Sequence, residues 1–198
     1  VSSIDLKLTE ANNFFPILED IPEWQLKNTQ FLWLNSPHNP TSAIASKATI
    51  ENYLRYAEKY NFFICSDECY NDLYSEDKPT SILEFDSQHW ICFRSLSKRS
   101  HMTGYRSGAI ISKNKTVIDL LKKARSPMGI GTPSFIQNAA IWAWNDHEHI
   151  KTHRELYNQK RAKVRDALQQ AGLSIFGGDA GFYIWAKSAK CNTSDQLA

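Results

Sequence analysis

Four short apolar runs, separated by segments with helical periodicity, constrain the fold of this chain more than any other feature. The runs are Phe31–Leu34, Phe62–Cys65, Trp90–Phe93 and Ser107–Ile111, and each has the length of a buried strand. Between the first two, Ser46 can cap a helix. Its predicted buried face is formed by Ile50, Tyr53, Leu54 and Ala57, which recur at helical spacing. This alternation predicts an α/β fold with a mostly parallel sheet flanked by helices.

The second half of the chain is predicted to be mostly helical. A helical pattern over residues 147–171 is long enough to link two domains. We therefore expect part of a large domain over residues 1–146, the linking helix, and the start of a small α+β domain over residues 172–198. In the small domain, the apolar runs Leu173–Phe176 and Phe182–Trp185 are predicted to be strands.

The composition is that of a globular protein and gives no indication of a nucleic-acid or membrane partner. The formal net charge is +2, and charged residues make up 22% of the chain. No apolar run approaches the roughly 20 residues of a membrane span, and the first residues do not resemble a signal peptide. His149 and His153 stand at a spacing that can bind a metal, but we interpret them as a solvated helix face and expect no metal site. A cytoplasmic location is expected, with buried free thiols at Cys65, Cys69, Cys92 and Cys191.

Three polar clusters, at residues 35–41, 67–70 and 95–106, adjoin the apolar runs. Ligands of open parallel sheets bind beyond the carboxyl ends of the strands, so we expect the clusters to converge there. In the third cluster, Lys98 stands among small hydroxyl residues, and Arg106 follows between two glycines. A shielded lysine can form a Schiff base, and an arginine can hold a phosphate through paired N–H bonds. This segment therefore predicts a site for pyridoxal phosphate bound through Lys98.

Four segments, in order, resemble the signatures of the class I and II aminotransferases, which are fold-type I pyridoxal phosphate enzymes. They are Asn35–Thr41 (N-x-P-x-N-P-T), Asp67–Tyr70 (D-x-x-Y), Ser95–Gly108 (S-x-S-K followed by G-x-R-x-G) and Gly181–Trp185 (G-x-Y-x-W). The resemblance extends over nearly the whole chain. It implies that residues 1–146 are part of the cofactor-binding large domain.

The resemblance implies roles for individual residues, with Lys98, Asp67 and Tyr70 as the catalytic ones. Lys98 would form the Schiff base and then move a proton between the substrate Cα and the cofactor. Asp67 would pair with the pyridine nitrogen; neighbouring side chains in an extended segment point to opposite sides, and the resemblance selects Asp67 over Glu68. Tyr70 and Asn39 would bond the 3′ oxygen of the ring. The phosphate would be held by Ser95, Ser97 and Arg106.

The implied activity is transamination between an amino acid such as glutamate and a 2-oxo acid. The sequence around Lys98 is most similar to the succinyl-diaminopimelate branch, whose acceptor would be N-succinyl-2-amino-6-oxopimelate; an aspartate-type enzyme is the next candidate. Two further candidates are a β-lyase of the same fold type and a catalytically inactive fragment. A Rossmann-type binding domain is disfavoured, because no G-x-G-x-x-G follows a strand. The resemblance also implies a homodimer in which residues 134–137 face the neighbour.

The chain departs from the family pattern at two residues and in its extent. Ser42 stands where the family has a glycine, and His101 stands where it has a smaller or apolar residue. Residues 1–30 match neither the upstream turn that cradles the phosphate nor the aromatic residue that stacks on the cofactor. The arginine that binds the substrate carboxylate would lie beyond the last residue. We therefore expect this chain to be an internal piece of such an enzyme.

Overall fold

A four-stranded sheet forms the main body of the computed structural model, which describes residues 2–190. Its strands are β1 (Phe31–Asn35), β2 (Phe63–Asp67), β3 (Trp90–Ser95) and β4 (Gly108–Ile111), in that spatial order. The first three strands are parallel, and β4 is antiparallel to β3. The expected mostly parallel α/β fold is confirmed, and each of the four strands predicted for this sheet lies within two residues of its observed position.

Six helices accompany the sheet in the described part of the chain. They are α1 (Glu23–Asn28), α2 (Lys47–Tyr60), α3 (Leu96–Arg99), α4 (Lys115–Arg125), α5 (Ser134–Asn145) and α6 (Glu148–Gln170). Short 3₁₀ turns lie at Glu10–Asn12, Leu18–Asp20, Ile82–Glu84 and Thr103–Tyr105. Within residues 2–190, no helix combines the length and the apolar character that crossing a membrane requires.

Helix α2 covers one face of the sheet and closes the main core. Ser46 caps it, since its Oγ accepts a hydrogen bond from the backbone amide of Thr49 at 3.0 Å, and Asn61 ends it in the left-handed conformation at φ 57°. The predicted apolar face is confirmed, because Ile50, Tyr53, Leu54 and Ala57 are all buried. The sheet contributes Leu32, Leu34, Ile64, Trp90 and Cys92 to the same core.

The opposite face of the sheet carries exposed aromatic residues and ends in polar ones. Phe31 and Trp33 are 53% and 66% exposed, and Trp33 stacks on Phe93 with ring centroids 5.3 Å apart. Side chains alternate along a strand, and Asn35 is paired with Asp67 across β1 and β2. Asn35 and Asp67 therefore lie at the carboxyl end of this same face.

The long helix α6 confirms the helical pattern predicted over residues 147–171 and is fixed by a buried arginine. Arg161 donates to the carboxylate of Asp179 at 2.8 Å, to the Asp179 carbonyl at 2.7 Å and to Ser75 Oγ at 3.1 Å. Burial lowers the pKa of the Arg161 guanidinium, and the nearby Asp179 opposes this effect. These bonds join α6 to the segment after β2 and to the turn that follows β5.

A two-stranded antiparallel sheet follows α6, with β5 at Leu173–Phe176 and β6 at Trp185–Ser188. The prediction for β5 is confirmed. The strand predicted at Phe182–Trp185 is wrong, because the observed strand begins three residues later, at Trp185. Gly181 has a φ of 67°, and the next two rings pack against Tyr70 instead of alternating along a ladder. The end of the predicted small domain, residues 191–198 with Cys191, lies outside the described residues.

Candidate active site

Three strands bring the polar clusters to one edge of the sheet, as the sequence predicted. Asn35, Asp67 and Ser95 are the last residues of β1, β2 and β3. Asn35 Nδ2 donates to the carbonyl of Asp67 at 3.1 Å, and Asn35 Oδ1 accepts from the backbone amide of Asn39 at 2.7 Å. Asn35 therefore fixes the loop that carries Asn39 to the end of β2.

Tyr70 and Asn39, predicted to share one target, are brought together by the fold. Asn39 Nδ2 donates to the Tyr70 hydroxyl at 3.4 Å, and the hydroxyl of Tyr183 lies 3.1 Å from the same oxygen. Burial, followed by the bond with Tyr183, raises the pKa of Tyr70. Tyr70 therefore keeps its proton at neutral pH and can donate it to a ligand.

The adjacent carboxylates Asp67 and Glu68 have different surroundings. Asp67 is half-buried, and its Oδ1 accepts from the backbone amide of Cys69 at 3.1 Å. Within the described residues, Asp67 Oδ2 has no hydrogen-bond partner. Glu68 is buried and pairs with Arg94 at 2.7 Å. It also accepts hydrogen bonds from Ser66, Ser81 and the backbone amide of Ile82. Glu68 is thus committed to internal bonds, and Asp67 keeps an open oxygen.

Lys98 lies on the short helix α3, directly after β3, and is half-buried. Its Nζ is 5.3 Å from the centroid of the Phe182 ring. Among residues 2–190, it has neither a hydrogen bond nor an ion pair. Since Phe182 also contacts Tyr70 edge-on, with centroids 5.6 Å apart, Lys98 and Tyr70 border the same aromatic ring.

The residues predicted to hold the phosphate are less closely assembled. Ser95 Oγ accepts from the backbone amide of Ser97 at 3.1 Å, which leaves the hydroxyl proton of Ser95 available for a ligand. Arg106 is exposed, and its Nη1 donates to the carbonyl of Thr103 at 3.1 Å. The next residue, Ser107, accepts from the first amide of α3 at 3.2 Å. The backbone of Arg106 is therefore near the lysine loop. Within residues 2–190, most guanidinium N–H groups of Arg106 have no hydrogen-bond acceptor.

The family model for aminotransferase class I and II matches residues 4–197. This chain belongs to the class I and II aminotransferases. Its match to an LL-diaminopimelate aminotransferase of Aquifex aeolicus is 35% identical over 194 residues, 96% of this chain and 50% of that protein. The chain spans about half the length of the curated relatives it matches.

Solved aminotransferase structures agree with this assignment. An aminotransferase of Neisseria meningitidis is 33% identical with a TM-score of 0.79, over 88% of this chain and 46% of that one. An aspartate aminotransferase of Thermotoga maritima is 27% identical with a TM-score of 0.84, over 93% of this chain and 49% of that one. The sheet, the long helix α6 and the short hairpin after it thus have the fold of this aminotransferase family.

Pyridoxal phosphate is the cofactor of the class I and II aminotransferases, and the polar groups of this chain fit it. Lys98 offers an amine without a polar partner among the described residues, and Asp67 offers an open carboxylate oxygen. Tyr70 and Asn39 offer donors side by side, and Arg106 offers open guanidinium groups. This cofactor requires four kinds of partner: an amine, an anion for the ring nitrogen, donors for the ring oxygen and a cation for the phosphate.

Sequence reasoning missed the residue that fixes α3 in this chain. Arg99 is buried, pairs with Asp72 at 3.3 Å and donates to the carbonyls of Ala143 and Trp144 at the end of α5. These bonds hold the helix that carries Lys98 against α5. In the sequence, Arg99 is one more cation beside Lys98, and no local signal distinguishes it from a surface residue.

The departure from the family at Ser42 is compensated within the structure. Ser42 is buried in the left-handed region at φ 60°, where a glycine is favoured. Its Oγ donates to the backbone carbonyl of Tyr183 at 2.9 Å. A Cβ at Gly178 would lie 2.0 Å from the carbonyl oxygen of Ser42. The loop after Asn39 therefore packs directly on the backbone of residues 177–183.

The histidines of α6 do not form the solvated helix face that the sequence predicted. The ring of His153 stacks on that of His101 with centroids 3.9 Å apart, and His149 Nε2 lies 2.9 Å from Ser100 Oγ. The helix turns these side chains toward the loop after Lys98. No group of three or more metal-ligating side chains occurs in the described part of the chain.

Proposed function

We propose that the protein carrying this chain is a pyridoxal phosphate-dependent transaminase that moves an amino group between an amino acid and a 2-oxo acid. One observation carries the proposal. The half-buried amine of Lys98 has no polar partner in the described residues and borders the ring of Phe182. The same ring contacts Tyr70, which is hydrogen-bonded to Asn39. These groups lie at the edge of the sheet where Asp67 ends β2. When bound, the cofactor would supply an aldehyde to link the amine and a ring to withdraw electrons.

Each residue has a role that its surroundings support. Lys98 Nζ would hold the cofactor covalently and, once released by the substrate amine, carry the proton from the substrate Cα. Asp67 would keep the ring nitrogen protonated through its open oxygen. Tyr70 and Asn39 would donate to the ring oxygen. The phosphate would be held by Ser95, Ser97 and Arg106.

The direct test is absorbance spectroscopy on the protein that carries this chain, titrated with pyridoxal phosphate. We expect a near-visible band that borohydride reduction fixes covalently to the protein, with the label on Lys98 by mass spectrometry. Lys98→Ala should abolish the band and the label. Lys123→Ala is the matched control, since Lys123 is an exposed lysine on α4 and should retain both. Wild-type protein that gives no band, or a label elsewhere, would contradict the proposal.

For the substrate, we propose an amino acid of the diaminopimelate type. Curated relatives named LL-diaminopimelate aminotransferase support this class, and the sequence around Lys98 favours the N-succinyl form with N-succinyl-2-amino-6-oxopimelate as acceptor. The aspartate aminotransferase of T. maritima supports aspartate as the alternative.

The substrates are distinguished by following glutamate formation from 2-oxoglutarate. The donors compared are LL-diaminopimelate, its N-succinyl derivative and aspartate, each with the protein that carries this chain. We expect the highest kcat/KM with N-succinyl-LL-diaminopimelate. Aspartate as the best donor would identify the alternative, and thiol release from a sulfur-containing amino acid without glutamate formation would identify a β-lyase. A near-visible band without any turnover would identify an inactive fragment.

We also propose a homodimer, as the resemblance implies for residues 134–137. Helix α5 exposes three large apolar side chains, since Phe135, Ile141 and Trp142 are 69%, 59% and 79% exposed. Such an apolar surface is typical of a protein interface. Light scattering on the protein that carries this chain should give twice its monomer mass, and Trp142→Lys should reduce it to that of a monomer. A monomeric wild-type protein would contradict this assembly.

A further inference from the structure

The resemblance gives Tyr183 no contact with the cofactor, but Tyr183 touches Tyr70, to which it does give one. Its hydroxyl oxygen lies 3.1 Å from that of Tyr70, and the two rings meet edge-on with centroids 5.7 Å apart. The backbone carbonyl of Tyr183 accepts from Ser42 Oγ at 2.9 Å, so its position is fixed from both ends. We propose that Tyr183 is a positioning residue that directs the hydroxyl proton of Tyr70 toward the cofactor; the inference rests on the function proposed above.

The hydrogen bonds available to Tyr70 support this role. A phenol has one proton to donate and two lone pairs that accept. The amide Nδ2 of Asn39 can only donate, and therefore occupies one lone pair of Tyr70. Either hydroxyl can be the donor in the bond between Tyr70 and Tyr183. If Tyr70 donated to Tyr183, it would have no proton left for the ring oxygen of the cofactor.

The opposite arrangement satisfies every group. When Tyr183 donates, both lone pairs of Tyr70 are occupied, and its only proton must point to a third partner. A bond accepted by a hydroxyl also polarises that hydroxyl and strengthens its own donation, by about 10–30% per bond. Tyr183 would therefore both orient and strengthen the bond from Tyr70 to the negatively charged ring oxygen.

Packing alone does not require the hydroxyl of Tyr183. Its ring contacts Phe182, with centroids 4.8 Å apart, as well as Tyr70. A phenylalanine at position 183 would keep both ring contacts and lose only the hydroxyl. Two further titratable groups, Asp67 and Cys69, lie on the segment that leads to Tyr70, and both raise the pKa of Tyr70. That substitution replaces neither group, so the effect of the Tyr183 hydroxyl can be measured by itself.

The test is a pH titration of the near-visible band of the protein loaded with pyridoxal phosphate. A donor to the ring oxygen stabilises its negative charge and so favours loss of the proton from the lysine-linked nitrogen. Tyr70→Phe should raise the midpoint of the spectral change by about one pH unit, the equivalent of one hydrogen bond. Tyr183→Phe should raise it by about 0.1–0.3 of a pH unit, the 10–30% of that bond that polarisation supplies, and should add nothing in the Tyr70→Phe background.

Tyr157→Phe is the matched control, because the Tyr157 ring stacks on Phe182 with centroids 5.5 Å apart and its hydroxyl has no described hydrogen bond. It should leave the midpoint unchanged. An unshifted midpoint in Tyr183→Phe, or shifts that add in the double variant, would overturn the inference. Failure of Tyr183→Phe to fold would also overturn it, since the hydroxyl would then serve the fold. Absence of the band in the wild-type protein would instead refute the proposed function.

Discussion

Replacing Glu68 with glutamine should destabilise the fold without acting on the cofactor directly. The side chain of Glu68 is 2% exposed and that of Arg94 is 13% exposed, and they form an ion pair at 2.7 Å. In Glu68→Gln, an NH₂ group faces donors on one side, and Arg94 loses the nearer of its two charge partners, the other being Asp72 at 3.8 Å. Breaking a buried pair costs about 3–5 kcal/mol. Each kcal/mol lowers the melting temperature of a chain this size by about 2–4 °C, so we expect a decrease of about 10 °C.

The matched variant is Asp67→Asn, at the neighbouring carboxylate. Asp67 has an open oxygen and no described ion pair, so the free energy of unfolding should change by less than about 0.5 kcal/mol. The near-visible band with pyridoxal phosphate should instead weaken or disappear. Urea unfolding and cofactor titration of both variants measure the two effects separately. Equal stability losses at Asp67 and Glu68, or no loss in Glu68→Gln, would refute the division of roles between them.

Three further predictions concern the segments around the site. Ser42→Ala removes the bond to Tyr183 and should lower the free energy of unfolding by about 1 kcal/mol. Ser42→Gly should be the more stable of the two variants, because glycine adopts a φ of 60° without steric strain. Equal stabilities would contradict this. Gly178→Ala should lower the free energy of unfolding in urea by about 2–3 kcal/mol, because the added Cβ would lie 2.0 Å from backbone. At Gly104 an added Cβ has nothing within 4 Å, so Gly104→Ala should lower it by less than about 1 kcal/mol. Similar losses in the two variants would refute the close packing at Gly178. Burial, then the charge of the stacked His153, lowers the pKa of His101 from 6.5. The free energy of unfolding should therefore be highest above pH 6.5 and fall as the pH decreases through the lowered pKa. His101→Asn should flatten this slope, and an unchanged slope would contradict the pKa shift.

The parts of this structure that follow local rules could be predicted from the sequence. Ser46 and the apolar spacing after it specify α2, because a cap and a buried face are properties of neighbouring residues. The apolar runs specify β1 to β4 for the same reason. The convergence of Asn39 and Tyr70 also followed, since the carboxyl ends of parallel strands share one edge.

The rest depends on contacts between residues far apart in the chain. The apolar run Phe182–Trp185 has the composition of a strand, but its first residues pack on Tyr70 and only Trp185 enters β6. Nothing near Arg99 in the sequence indicates that it binds the end of α5. The alternation along β2 indicates that one of two adjacent carboxylates faces inward. The distant partners of Glu68, Arg94 on β3 and Ser81, explain why Glu68 is the one.

The contacts of residues 177–183 connect the hairpin after α6 to the cofactor residues. Gly178 donates from its backbone amide to the carbonyl of Thr41 at 3.0 Å, Ser42 binds the carbonyl of Tyr183, and Tyr183 reaches Tyr70. Segments as far as 141 residues apart in the sequence therefore share one set of hydrogen bonds. A movement of the hairpin must then either carry the Asn39 loop with it or break these bonds. Substitutions at Gly178 should for this reason weaken cofactor binding as well as the fold, although position 178 lies outside the four signature segments.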